Sequence, residues 1–172
     1  VMTGGFDRFD TIELPPFRAL VAGGIASVMT GHLAAPELAL ELGAEAGDAA
    51  DRSATLSRVL TTGLLRESLQ FSGIIVTDAM QMHAVSDRYG DGEGAVLAML
   101  AGADLILMPF DARIAHAALL EAAQSGRIPR EELEAHVERI RDLKARYDLS
   151  GAGADAEQLN ALEAAHRELF GI

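Results

Sequence analysis

The apolar and polar positions alternate between short runs that are apolar almost throughout and longer stretches with helical spacing. The apolar runs are residues 24–32 (GIASVMTGH), 73–78 (GIIVTD) and 103–109 (ADLILMP). Continuous apolar runs of this length are typical of strands that are covered on both faces, as in a parallel sheet. The pattern therefore predicts three strands.

Helical stretches lie before, between and after these runs. Pro15 and Pro16 favour a helix start, and Gly23 favours its end. Ser57 and Asp111 each precede an amphipathic stretch, and we expect both side chains to cap a helix. The helices are predicted to begin near positions 15, 57, 93, 111 and 129, and a short further helix near the end of the chain. Alternation of helix and strand predicts an α/β fold with a parallel sheet.

Composition and charge exclude several function classes. The chain has 172 residues, of which 49% are hydrophobic, and its formal net charge is −12. This acidity argues against a nucleic-acid partner and against adsorption to an anionic membrane. The absence of cysteine excludes disulfides, thiolate zinc sites and a thiol nucleophile. No apolar run approaches the ~18 residues of a membrane-spanning helix, and the sequence leaves the compartment open.

Ionisable residues follow each of the three predicted strands: His32, Asp78 and Asp111. Ligands of parallel α/β proteins bind at the carboxyl ends of the strands, so this arrangement suggests a site. Each residue also has a structural interpretation. Asp78 is either a helix cap or an active-site carboxylate, and His32 can simply donate to a neighbouring carbonyl. Met80 and Met82 fit either core packing or an apolar pocket wall.

Other candidates carry less information. His116, His136 and His166 lie in amphipathic stretches and are predicted to be solvated. Residues 89–94 (YGDGEG) lack the Lys-Ser/Thr pair of a phosphate-binding loop and are predicted to form a flexible surface loop. The chain has neither HExxH nor paired ligands at metal spacing, so we predict no metal site.

Three segments together resemble glycoside hydrolase family 3: LPPFRALVAGGIASVMTGHL, SATLSRVLTTGLLRESLQFSGIIVTDAMQMHAV and GEGAVLAMLAGADLILMP. The similarity covers about residues 14–149. It implies part of a (β/α)8 TIM barrel, with about three parallel strands and flanking helices. It also implies that Asp78 is the catalytic nucleophile and that His32, Met80 and Met82 bind substrate. No cofactor is implied.

The resemblance also suggests what lies outside the chain. The hexosaminidase branch has a KHFPGHG stretch and an Asp-His acid/base pair, and we expect both before Val1, with the N-terminal half of the barrel. Residues 1–149 are then the C-terminal part of the barrel, and residues 150–172 a linker and short helix. In this interpretation Val28, Ile75 and Ile106 face the barrel interior.

The predicted function is hydrolysis of β-N-acetylhexosaminides by a retaining β-glycosidase. The resemblance fits a β-glucosidase as well, and the residues alone allow a non-catalytic carbohydrate-binding chain or a flavodoxin-like module. The partner is a carbohydrate substrate, and residues 1–172 alone are expected to be inactive.

Overall fold

A computed structural model describes residues 1–47 and 51–149 of the chain. Predictions for the linker, the terminal helix and His166 lie outside these residues. The described helices are α1 (Phe6–Thr11), α2 (Leu14–Ala22), α3 (Pro36–Glu41), α4 (His83–Ala101), α5 (Ala112–Gln124) and α6 (Arg130–Arg146). A 3-10 turn (Ala54–Leu56) and a π-helix (Val59–Ser68) lie between α3 and the second strand.

Local sequence explains where several helices begin. Proline occupies the first turn of α2, and Pro129 directly precedes α6. The Asp111 carboxylate accepts a hydrogen bond from the Arg113 backbone N–H and caps α5, as predicted. The predicted Ser57 cap is wrong: its side chain caps nothing, and instead its carbonyl oxygen accepts from the N–H groups of Leu60 and Thr61.

The described strands form a two-stranded parallel sheet of β1 (Ser27–Met29) and β2 (Ile74–Val76). Val28 is paired with Ile75 in the register of this sheet. The close approach of the strands depends on Gly73, where a Cβ atom would lie 2.5 Å from the Ala26 carbonyl oxygen.

The third predicted strand forms only a single parallel bridge, between Leu105 and Val76. Next to this bridge, side-chain oxygens take the place of backbone carbonyl groups as hydrogen-bond acceptors. The Asp104 carboxylate accepts from the Ile75 N–H, and the Thr77 hydroxyl accepts from the Leu107 N–H. The segment therefore runs alongside β2 without a regular ladder, which explains why two described strands are found where three were predicted.

The core lies between the sheet and the helices. Its central cluster contains Leu56, Leu65, Phe71, Ile75, Met80, Val85, Ala98 and Ala103. Val28 and Ile106 pack against this cluster, so they lie on the helix-covered face together with Ile75. The prediction that these three residues face a barrel interior is therefore wrong.

The opposite face of the sheet is partly exposed within residues 1–47 and 51–149. Met29 and Leu105 flank Val76 in the sheet register and are 54% and 43% exposed. Side chains alternate between the two faces of a strand, so Val76 lies on this face together with Ile74, which is buried, whereas the face becomes exposed towards the end of β2. This alternation, continued past Val76, brings Asp78 to the same face.

Candidate active site

The candidate site lies where β1, β2 and the 105–108 segment end. The backbone N–H of Asp78 donates to the Thr30 carbonyl at 3.1 Å, which ties the residue to the end of β1. The N–H groups of Met80 and Gln81 donate to Leu107 and Met108 at 2.8 and 3.0 Å. The turn after β2 is therefore held from both sides.

Asp78 has one restrained oxygen and one unoccupied oxygen. Its Oδ1 accepts from the Ala79 N–H at 2.8 Å. Within the described residues, no hydrogen bond reaches Oδ2, and the residue is partly exposed. The helix-cap interpretation is wrong, because α4 begins five residues later, at His83, and has Met82 as its N-cap residue.

His32 lies beside Asp78, at the same end of the sheet. Its ring nitrogen Nε2 is 3.0 Å from the Ala79 carbonyl oxygen, and Nδ1 is 3.0 Å from the Thr55 hydroxyl. The Thr55 hydroxyl accepts in turn from Thr30, at 2.9 Å. The expected proximity of His32 and Asp78 is therefore present, and the histidine also makes the neighbouring-carbonyl contact that the sequence allowed.

The two methionines are separated by the fold. Met80 is 2% exposed and belongs to the central core cluster, so the structure does not bring it to the surface that carries Asp78. Met82 is 44% exposed at the start of α4. The contact of Met82 with substrate stays a prediction, whereas the burial of Met80 in the core argues against the predicted contact of Met80 with substrate.

The glycine-rich run YGDGEG spans a break between two helical segments that together make up α4. Gly90 (φ 62°, ψ 179°) has non-helical geometry, and the second segment follows it and runs to Ala101. The predicted helix therefore follows the break, whereas the other residues of the run are helical and do not form a loop. The Asp91 carboxylate accepts from the N–H groups of Phe110 and Asp111 at 2.9 and 2.8 Å. A carboxylate in this place repels an anion, so the run is unsuited to bind phosphate. It instead anchors the segment that follows residue 108.

Asp111 has a structural role at the same end. Its carboxylate caps α5 and pairs with the Arg113 guanidinium at 2.8 Å. The side-chain hydrogen bond from Arg113 holds the pKa of Asp111 below its usual value. Asp91 and Asp111 are therefore both engaged in holding backbone, whereas Asp78 keeps an oxygen available for chemistry.

The sequence interpretation missed a buried ionic cluster at the opposite end of β2. Asp104 is the fully buried centre, with His136, Arg66 and Arg139 around it. His136 is 4% exposed, so its predicted solvation is wrong, while His116 is exposed as predicted. An aspartate beside an apolar run was the available signal, but its partners lie 29 to 38 positions away.

Two further findings concern metal ions and membranes. No group of three or more His, Cys, Asp or Glu side chains suited to a metal ion occurs in residues 1–47 and 51–149. Over the same residues, every helix is too short or too polar to cross a lipid bilayer.

Comparison with known proteins identifies the family. A model of the glycosyl hydrolase family 3 N terminal domain matches residues 2–143. The chain belongs to this family. The resemblance seen in the sequence is therefore confirmed, and the flavodoxin-like alternative is dropped.

Individual relatives support the same placement. Beta-hexosaminidase A of Pseudoalteromonas piscicida is 28% identical over 95% of this chain and 29% of its own length. A family 3 β-N-acetylglucosaminidase from Paenibacillus sp. str. FPU-7 is 40% identical, with a TM-score of 0.80 over 90% of this chain and 28% of its own. A β-N-acetylglucosaminidase/β-glucosidase of Cellulomonas fimi is 27% identical over 77% of this chain and 24% of its own length. The chain thus spans less than a third of the length of each of these three proteins.

Proposed function

We propose that this chain carries the nucleophile of a retaining β-glycoside hydrolase that acts on β-N-acetylhexosaminides, and that Asp78 is this nucleophile. The observation that supports it most strongly is the state of the carboxylate. One oxygen is held by the Ala79 N–H, no hydrogen bond from residues 1–47 or 51–149 reaches the other oxygen, and the residue is partly exposed. We further propose that the partly exposed face of the sheet lies inside a (β/α)8 barrel.

The chemistry requires a carboxylate of this kind. In a retaining glycosidase the nucleophile attacks the anomeric carbon while an acid protonates the departing oxygen, and water then hydrolyses the glycosyl-enzyme. The nucleophile has to be held within about half an ångström of its productive position. The end of β1 and the 105–108 segment fix the Asp78 turn through backbone hydrogen bonds, which provides such restraint.

The substrate class is proposed from the relatives. The Pseudoalteromonas protein is named a β-hexosaminidase and the Paenibacillus protein a β-N-acetylglucosaminidase, whereas the name of the Cellulomonas protein includes β-glucosidase as well. β-Glucosides are therefore the second candidate substrate. A comparison of aryl N-acetyl-β-glucosaminide with aryl β-glucoside separates the two, and a higher kcat/KM for the first supports the hexosaminidase assignment.

The nucleophile is tested in the full-length protein that carries this sequence. Asp78→Ala should lower kcat by roughly 10⁴-fold or more, as removal of a covalent nucleophile does. Azide should partly restore turnover and yield a glycosyl azide of inverted anomeric configuration. Asp87→Ala is the matched control, because Asp87 is an exposed carboxylate near the same end of the molecule. Near-normal turnover by Asp78→Ala would refute the assignment.

A non-catalytic carbohydrate-binding protein gives a different result. The full-length protein would then bind the sugar in calorimetry while turning over neither aryl glycoside, and Asp78→Ala would leave the affinity unchanged.

A further inference from the structure

His32 has both ring nitrogens committed to the protein. Nε2 lies 3.0 Å from the Ala79 carbonyl oxygen, and Nδ1 lies 3.0 Å from the Thr55 hydroxyl. The ring has no third polar atom, so it can donate to a sugar only by giving up one of these bonds. A direct substrate contact, as the family resemblance implied, would therefore break an existing network.

The partners define the tautomer of the ring. A carbonyl oxygen only accepts, so Nε2 must carry the proton that it shares with Ala79. Nδ1 then accepts from the Thr55 hydroxyl, which itself accepts from the Thr30 hydroxyl at 2.9 Å. Thr55 is fully buried, so its hydroxyl cannot donate its proton to solvent. If the hydrogen bonds of this series ran in the opposite direction, the Thr30 hydroxyl would have to donate to the Val76 carbonyl oxygen at 3.5 Å, which is long for a hydroxyl hydrogen bond.

The bond to Ala79 acts on the carboxylate next to it. Ala79 contributes its N–H to Asp78 Oδ1 and its carbonyl to His32. The histidine therefore restrains the same residue that orients the carboxylate. The Thr30 carbonyl also accepts from the Asp78 N–H, so the end of β1 holds both flanks of this peptide.

We propose that His32 is a positioning residue, with its proton on Nε2, that fixes Asp78 through the Ala79 carbonyl instead of binding the sugar. This inference rests on the proposed function, since it assigns a role relative to the Asp78 nucleophile. Displacement of the attacking group lowers the rate of the chemical step more than the affinity for substrate, and a misplacement of about 1 Å lowers that rate on the order of 10²-fold. Loss of the hydrogen bond from His32 to the Ala79 carbonyl should therefore lower kcat and leave KM nearly unchanged.

The first test uses the full-length protein carrying this sequence, with ¹⁵N only in histidine side chains. Long-range ¹H–¹⁵N correlation identifies the protonated nitrogen, and His32→Gln assigns the signal by its disappearance. We expect the His32 proton on Nε2 at neutral pH. His32→Asn assigns the same signal if His32→Gln fails to fold. A proton on Nδ1, or the averaged pattern of a free imidazole, would overturn the proposal.

The second test compares two amides of different length. The carboxamide of His32→Gln can donate from the position of Nε2, whereas that of His32→Asn reaches only the position of Nδ1. We expect His32→Gln to keep kcat within about tenfold and His32→Asn to lose about 10²-fold, both with KM within about threefold. Equal losses, or a raised KM with unchanged kcat, would overturn the positioning role. Failure of the Asp78→Ala test would instead refute the proposed function and leave the tautomer result standing.

Discussion

Asp104→Asn is expected to remove a large part of the folding free energy. Asp104 Oδ1 accepts from His136 Nδ1 and Arg139 Nε, both at 2.8 Å. Its Oδ2 accepts from the Ile75 N–H at 2.8 Å and from Arg66. The side chain is fully buried, so water cannot replace any of these donors.

The magnitude follows from the number of bonds at each oxygen. Asparagine turns one acceptor oxygen into a donor, so two of the four donors lose their acceptor wherever the amide nitrogen points. Hydrogen bonds to charged groups contribute about 1.5–3 kcal/mol each, and breaking a buried ion cluster costs about 3–5 kcal/mol. We therefore expect a loss of about 3–5 kcal/mol, against a total of about 5–15 kcal/mol for an ordinary domain.

The assay is urea unfolding at neutral pH, followed by circular dichroism. Asp142→Asn is the matched control, because Asp142 is exposed on α6 and should change the free energy of unfolding by no more than about 0.5 kcal/mol. An Asp104→Asn protein within that same margin of the unaltered protein would refute the argument that the cluster stabilises the fold.

The pH dependence provides a second check on the same cluster. Burial raises the pKa of Asp104, but the hydrogen bonds from His136, Ile75 and Arg139 and the charge of Arg66 outweigh it, so the pKa lies below its usual value. A lowered folded-state pKa contributes stability above the unfolded value of about 3.9, and this is lost as pH falls through the folded pKa. The difference in free energy of unfolding between the unaltered and the Asp104→Asn protein should therefore have its full size at pH 7 and become smaller below about pH 4. A difference that widened in acid would contradict this sign.

Two further predictions concern the sheet. Gly73→Ala should lower the free energy of unfolding by about 1–3 kcal/mol in thermal or urea unfolding, because the new methyl group meets the Ala26 carbonyl. At Gly63 nothing lies within 4 Å of an added Cβ atom, so Gly63→Ala should be neutral or stabilising. Equal effects of the two substitutions would contradict the close approach of β1 and β2. Residues 1–172 alone should associate in solution through the exposed face of Met29 and Leu105, and light scattering after gel filtration should show less association for Leu105→Lys; a monomer at every concentration would contradict it.

The sequence predicted the elements better than the bonds that join them. Both regular strands lie inside predicted apolar runs, and α2, α5 and α6 begin near Pro15, Asp111 and Pro129 as predicted. The start of α4 was predicted near position 93, but α4 begins at His83. The prediction of a regular third strand failed because the side chains of Asp104 and Thr77 accept hydrogen bonds in place of backbone carbonyl groups. Such substitution depends on partners distant in the chain, which a local apolar pattern does not encode.

The candidate site was predicted in position and only partly in role. The position of Asp78 at a strand end followed from the pattern, because carboxyl ends of parallel strands meet at one edge. The burial of Met80 did not follow, since two methionines spaced by one residue gave no signal of which turns into the core. His136 showed the same limit, because only the tertiary contact with Asp104 removes it from solvent.

Trapping the glycosyl-enzyme tests the assignment of Asp78 most directly. A 5-fluoro glycosyl fluoride of N-acetylglucosamine forms the covalent intermediate and slows its hydrolysis, so the labelled peptide can be found by mass spectrometry in the full-length protein carrying this sequence. We expect the sugar on the peptide that contains residues 74–80, with fragmentation placing it on Asp78, and no label in Asp78→Ala. A label on another carboxylate, or turnover of the reagent without any covalent label, would contradict the proposed nucleophile.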